Sequence, residues 1–113
     1  MPNLHTQSCT PCRSSSPTLN KIEISRLMEE VPGYQLHEVE GIKRICKTYT
    51  FKNFEEALVF TNKIARISEE EHHHPQIILE WGVVAVSWWT HAIDGLDTND
   101  FIMAIKTDQI YSS

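Results

Sequence analysis

The stretch Glu69-Glu70-Glu71-His72-His73-His74-Pro75-Gln76-Ile77-Ile78-Leu79-Glu80-Trp81-Gly82-Val83-Val84-Ala85-Val86-Ser87-Trp88-Trp89-Thr90-His91 is where a helical pattern gives way to a strand pattern. Pro75 restricts its predecessor to extended backbone, so the chain must leave helical geometry at or before His74. Beyond it, Ile77-Ile78-Leu79 reads as a strand, Trp81-Gly82 as a turn and Val83 to His91 as the returning strand. Along that strand Val84, Val86 and Trp88 point one way, and Ala85, Ser87, Trp89 and His91 the other. Before it, Phe54, Ala57, Leu58, Thr61, Ile64 and Ala65 give a helix over about 54–70 a stripe expected to be buried. Asn53 and Glu56 form a possible capping box at its start. Three acids at its end oppose the macrodipole, so the helix is expected to fray near Glu69–Glu71.

Upstream, residues 34–51 read as another hairpin. Gly41 is its turn residue, and Ile45, Tyr49 and Phe51 share one face of the returning strand. An earlier helix carries Ile24, Leu27, Met28 and Val31 on one face, opens with an Asn20/Glu23 capping box and ends at Pro32-Gly33. Downstream, a third helix starts around Thr98, with Asp97 as N-cap, Asp100 as a first-turn acid, and Phe101, Ile102 and Ile105 beginning its apolar face. The order α-β-β-α-β-β-α predicts an α+β fold: a four-stranded antiparallel sheet with three helices on one face. The opposite face is left to pack on another subunit or to form a cleft. Residues 1–17, rich in Ser, Thr, Pro and Cys without apolar periodicity, read as a flexible tail ahead of a single domain over 18–113.

The bulk properties exclude several classes. The chain has 113 residues, 41% hydrophobic and 22% charged, as expected of one soluble domain. A formal net charge of -5 argues against binding nucleic acid through its phosphates. No apolar run is long enough for a membrane span, and the N-terminus has no apolar region of the secretory type. Three cysteines, Cys9, Cys12 and Cys46, form no framework, which points to a reducing, cytoplasmic setting. Cys9-x-x-Cys12 is one pair without a second ligand pair, weak grounds for a zinc or redox site.

Four of the six histidines fall between His72 and His91. His73 and His74 are expected to diverge, because successive extended residues point in opposite directions. The hairpin returns His91 toward them, and Glu69, four residues before His73, shares its helix face if the helix reaches that far. Three readings stay open on spacing: solvated histidines at a helix end, a proton-transfer site of imidazoles with a carboxylate, or a metal site of three His and a Glu. Trp81, Trp88 and Trp89 read first as packing residues and secondly as a stacking surface for a flat heterocycle.

The combination Glu69-x-x-x-His73-His74-Pro75, Thr90-His91, Gly95-Leu96 and Asp100 resembles the pterin-4a-carbinolamine dehydratase family. The resemblance runs from about residue 20 to 111 and includes Pro32-Gly33 and the spacing of Phe51, Phe54, Ala57, Phe60 and Ala65. It implies the same α-β-β-α-β-β-α fold. It also implies dehydration of 4a-hydroxytetrahydropterin to quinonoid dihydropterin, in support of pterin recycling for aromatic amino acid hydroxylation, with no metal or organic cofactor. Carried over, the catalytic set is His73, His74 and His91, with Glu69 and Thr90 binding or orienting the substrate. Within it, His73 and His91 would transfer protons and His74 would orient the pterin, while Glu69 would hold His73 or touch the ring. His72 falls outside the family's histidine pair. Tyr34 stands where many members carry Trp, and Ile77 where some members do. The resemblance further implies a homodimer or homotetramer and an aromatic amino acid hydroxylase as a possible partner; the charge and hydropathy above leave no nucleic acid or membrane contact expected. The alternative it carries is a protein-interaction role as a dimerisation cofactor that does not require catalysis.

Overall fold

A computed structural model describes Cys9 and residues 18–113. The expected tail lies outside the described residues apart from Cys9, and so does Cys12. The elements are α1 (Lys21–Met28), β1 (Gln35–Val39), β2 (Ile42–Thr50), α2 (Phe54–Glu71), β3 (Gln76–Glu80), β4 (Val83–Trp88) and α3 (Thr98–Ser112), with a 3-10 turn at His91–Ile93. This is the expected order. Glu40 and Gly41 both take positive φ, the geometry whose twist suits a tight hairpin, and they join β1 to β2. The two hairpins meet through antiparallel pairing of β2 with β4, so the sheet order is β1-β2-β4-β3.

That pairing sets Ile45 opposite Trp88 and Tyr49 opposite Val84. Alternate residues of the two central strands therefore face the helices, and Ile45, Tyr49, Val84, Val86 and Trp88 are all buried. Burying each such side chain is worth roughly 1.5–3 kcal/mol. Phe51 follows on the same side and packs on Phe60, their ring centroids 4.9 Å apart. Lys47 also points to this face. Its Nζ lies 2.8 Å from Asp108 Oδ1, the oxygen that accepts the Tyr49 hydroxyl at 2.6 Å. Tyr34 and Tyr49 share a hydroxyl–hydroxyl hydrogen bond of 2.8 Å. Burial pushes both phenols above the ordinary tyrosine value, with the Asp108 charge adding to the effect.

The helices differ from expectation in four ways. α1 has the full Asn20/Glu23 capping box but stops at Met28, ahead of Pro32-Gly33; the following turn still buries Val31. α2 does not fray: it continues through Glu71, whose carboxylate accepts a backbone amide, as described below. Its stripe also divides. Ala57, Phe60 and Ile64 are buried, whereas Phe54, Leu58 and Ala65 are exposed, because the apolar arc is wider than the side that meets the sheet. α3 has no single apolar face, since Phe101 to Ile105 are all buried where the helix is enclosed by β4, α1 and α2. The other side of the sheet carries an open depression lined by Gln35, His37, Cys46, Thr48, Ala85 and Ser87. Among the described residues no helix is long and apolar enough to cross a membrane.

Candidate active site

The last turn of α2 aims the histidines. His72 adopts the left-handed conformation, φ 54° and ψ 39°. Its amide donates to the Glu69 carbonyl at 3.4 Å, and that of His73 reaches back to the Ser68 carbonyl at 3.1 Å. These bonds satisfy carbonyls that a helix end otherwise leaves open. The reversal sends His73 inward and His74 outward, as the divergence argument expects. His73 is buried, and His74 is exposed.

His73 lands on a carboxylate that spacing within either segment does not reveal. Its Nε2 lies 2.6 Å from Asp100 Oδ1, and its ring stacks on Trp88 with centroids 5.9 Å apart and planes 15° from parallel. Asp100 is fully buried in the first turn of α3, where the helix dipole favours negative charge. Its Oδ2 accepts the Thr90 hydroxyl at 2.8 Å and the Asp97 amide at 3.0 Å. With the carboxylate acting only as acceptor, His73 donates through Nε2–H and keeps Nδ1 for another partner. One carboxylate thus ties together α2, α3 and the loop after β4.

Glu69 does not hold His73. Its Oε1 lies 3.5 Å from His74 Nε2, in a pair that is largely solvated and therefore weak. The inward turn at His72 removes His73 from the outer helix face on which Glu69 stands. Glu71, the last residue of the helix, accepts the Cys9 amide at 2.7 Å. Thr90 is 2% exposed and its hydroxyl is engaged by Asp100.

His91 is not at the end of a strand. β4 stops at Trp88, and a bridge between Thr90 and Gly95 closes a small loop, in which Asp94 takes the left-handed φ of 49°. His91 opens the 3-10 turn in this loop, exposed, with its ring stacked on Trp89 at 4.6 Å. Among the described residues no hydrogen bond or ring stack joins His91 to His73 or His74. The connection is indirect: Thr90, its chain neighbour, and His73 sit on the two oxygens of Asp100. Nor do any three His, Cys, Asp or Glu side chains among the described residues group to hold a metal ion.

From the sequence Asp100 reads as a first-turn helix acid and a member of the family motif, and Trp88 and Trp89 read first as packing residues and secondly as a stacking surface; the pairing of Asp100 with His73 is not among these readings. The signal available for Asp100 was its place in the motif with Thr90-His91 and Gly95-Leu96.

Comparison with known proteins points the same way. The family model described as pterin 4 alpha carbinolamine dehydratase matches residues 17–110. A protein of Saccharophagus degradans named "Putative pterin-4-alpha-carbinolamine dehydratase" is 48% identical over 111 residues, covering 98% of each chain. One of Marinobacter nauticus with the same name is 49% identical over 111 residues, covering 98% of this chain and all of that one. The crystal structure of a transcriptional coactivator/pterin dehydratase from Brucella melitensis superposes with a TM-score of 0.75 at 29% identity, covering 83% of this chain and 98% of that chain.

Proposed function

Because this chain belongs to the pterin 4 alpha carbinolamine dehydratase family, we propose that it removes water from 4a-hydroxytetrahydropterin by histidine acid–base catalysis. The observation that carries the mechanism is the 2.6 Å contact between His73 Nε2 and the buried Asp100. The product is the quinonoid dihydropterin, and the reaction serves to return pterin to aromatic amino acid hydroxylation. The hydroxyl on C4a leaves as water after receiving a proton from a general acid. A general base takes the proton from N5, and the C=N bond forms with the electrons released. Atoms and charge balance with the loss of one water. The step changes no oxidation state, so it calls for no electron carrier, and protonated imidazole can supply the acid that the leaving hydroxyl needs without a metal or organic cofactor.

The side chains divide these tasks. Asp100 fixes the tautomer and orientation of His73, leaving Nδ1 to exchange a proton. His91, exposed and placed by the loop that Thr90 anchors, makes the second transfer. His74, beside Glu69, binds and orients the pterin. The division predicts that His73→Ala lowers kcat by about 100-fold or more, the usual worth of a positioned acid or base. His74→Ala should instead act mainly on KM. Steady-state kinetics of the two variants check this; loss of turnover in His74→Ala with unchanged KM, beside a nearly silent His73→Ala, would reverse the roles.

A second reading, interaction with a protein partner, has its own observation: Phe54, Leu58 and Val59 stand exposed on α2, 40–49% accessible. The same stripe is suited to the dimer or tetramer that we expect of this chain. A folded protein without dehydratase activity would move the function to this reading.

A further inference from the structure

Each of two site histidines lies beside a carboxylate: His73 on Asp100 at 2.6 Å and His74 near Glu69 at 3.5 Å. His91 differs. Among the described residues neither of its ring nitrogens has a hydrogen-bond partner. The ring rests on a flat surface instead. The indole of Trp89 lies 4.6 Å from it, centroid to centroid, with the planes 28° apart. Residues two apart on extended chain point to the same side, and Thr90 between them is extended, φ -95° and ψ 108°. The stack therefore follows from the backbone.

Trp89 is itself held. The β2–β4 register pairs Ile45 with Trp88, so its next step places Arg44 opposite Trp89. The Arg44 guanidinium carbon lies 3.9 Å from the centre of the Trp89 ring. Cation–π contact with Trp is the strongest of its kind, and the planar guanidinium matches the indole face. Arg44 Nε is buried without a hydrogen-bond partner among the described residues, so stacking is the chief contact on that part of the side chain. Arg44 and Trp89 both lie on the side of the sheet opposite the helices, which gives His91 a support built on β2 and the residue that follows β4.

We propose that Trp89, backed by Arg44, is a positioning residue that fixes the His91 ring against the substrate while leaving both of its nitrogens free. An imidazole held by its face can take a proton at one nitrogen and release one at the other, which a ring anchored through a nitrogen does less readily. The arrangement suits the group that must hand a proton to the departing hydroxyl and be reloaded from water. This inference rests on the dehydratase reading given above.

The test compares Trp89→Ala, Trp89→Phe and Arg44→Gln in the full chain. Two readouts are taken: kcat and KM for 4a-hydroxytetrahydropterin dehydration, and the ring-proton chemical shifts of His91. Trp89→Ala is expected to lower kcat by about 10-fold or more with little change in KM, since small misplacements of a catalytic group are costly. It should also move the His91 shifts downfield as the indole ring current is lost. Trp89→Phe keeps an aromatic face and should restore kcat to within a few-fold of wild type, while Arg44→Gln should give an intermediate loss. Unchanged kcat in Trp89→Ala, or equal losses in Trp89→Ala and Trp89→Phe, would overturn the positioning role. If Trp89→Ala does not fold, an unchanged kcat in Arg44→Gln overturns the part assigned to Arg44, and a loss of kcat at constant KM supports it. A wild-type protein without dehydratase activity would remove the function proposed above. The His91 shifts would then decide alone: unchanged in Trp89→Ala, they overturn the support itself.

Discussion

At Asp100 a single carboxylate performs two tasks that the chain sets far apart. One oxygen closes the capping box with Asp97 and receives the Thr90 hydroxyl; the other receives His73. Replacing Asp100 by Asn keeps the volume but exchanges one acceptor oxygen for an NH2 group, which then faces either the His73 donor or the Thr90 and Asp97 donors. We expect Asp100→Asn to lower stability by about 2–4 kcal/mol, from unpaired buried donors. It should also reduce kcat toward the level of His73→Ala. Denaturant unfolding and initial rates measure both, and a variant with native rate would separate Asp100 from the chemistry. The histidines were legible from their clustering and from the Pro75 rule. The partner of His73 was not, because the capping role accounts for Asp100 locally and nothing in either segment relates positions 27 apart. Glu69 shares a helix face with His73 only if the helix reaches that far; it ends at Glu71, His72 reverses the chain, and Glu69 stands beside His74 instead.

At the scale of elements, that reversal is the joint of the site. His72 holds a left-handed conformation that side chains other than glycine adopt at a cost. We expect His72→Gly to stabilise the protein by about 1 kcal/mol, since glycine is the usual residue at such a helix end. Turnover should hardly change, because His72 lies outside the site. A thermal melt and a rate measurement check this; a large fall in rate would mean that the His72 side chain takes part. Element order and the central faces were readable from periodicity, as Ile45, Tyr49, Val84, Val86 and Trp88 show. Which part of the α2 stripe is covered was not readable, because a helical arc records apolar residues but not the width of the surface that meets them. The continuation of α2 through three acids was likewise hidden. Glu71 takes its donor, the Cys9 amide, from 62 residues away in the chain.

For the whole molecule, the buried pair Tyr34 and Tyr49 links β2 to the segment after α1 and, through Asp108, to α3. Both phenols are pushed up in the fold, so the folded chain retains protons that the unfolded chain releases near the ordinary value of 10.0. Their contribution to stability is therefore full below that value and is lost as pH rises above it. Melting temperatures across the range from about pH 8 to about pH 11 should fall steeply only toward the upper end. Tyr34→Phe would remove one of the two titrating groups and flatten the decline; an unchanged decline would place its cause elsewhere.

Metal-free proton transfer at His73 is the central step of the proposed reaction. The most direct measurement is the rate of dehydration of freshly generated 4a-hydroxytetrahydropterin, followed by ultraviolet absorbance, for wild type and His73→Ala with and without chelator. We predict acceleration by the wild type that chelator leaves unchanged and that collapses in the variant. Acceleration abolished by chelator, or retained in full by folded His73→Ala, would contradict it.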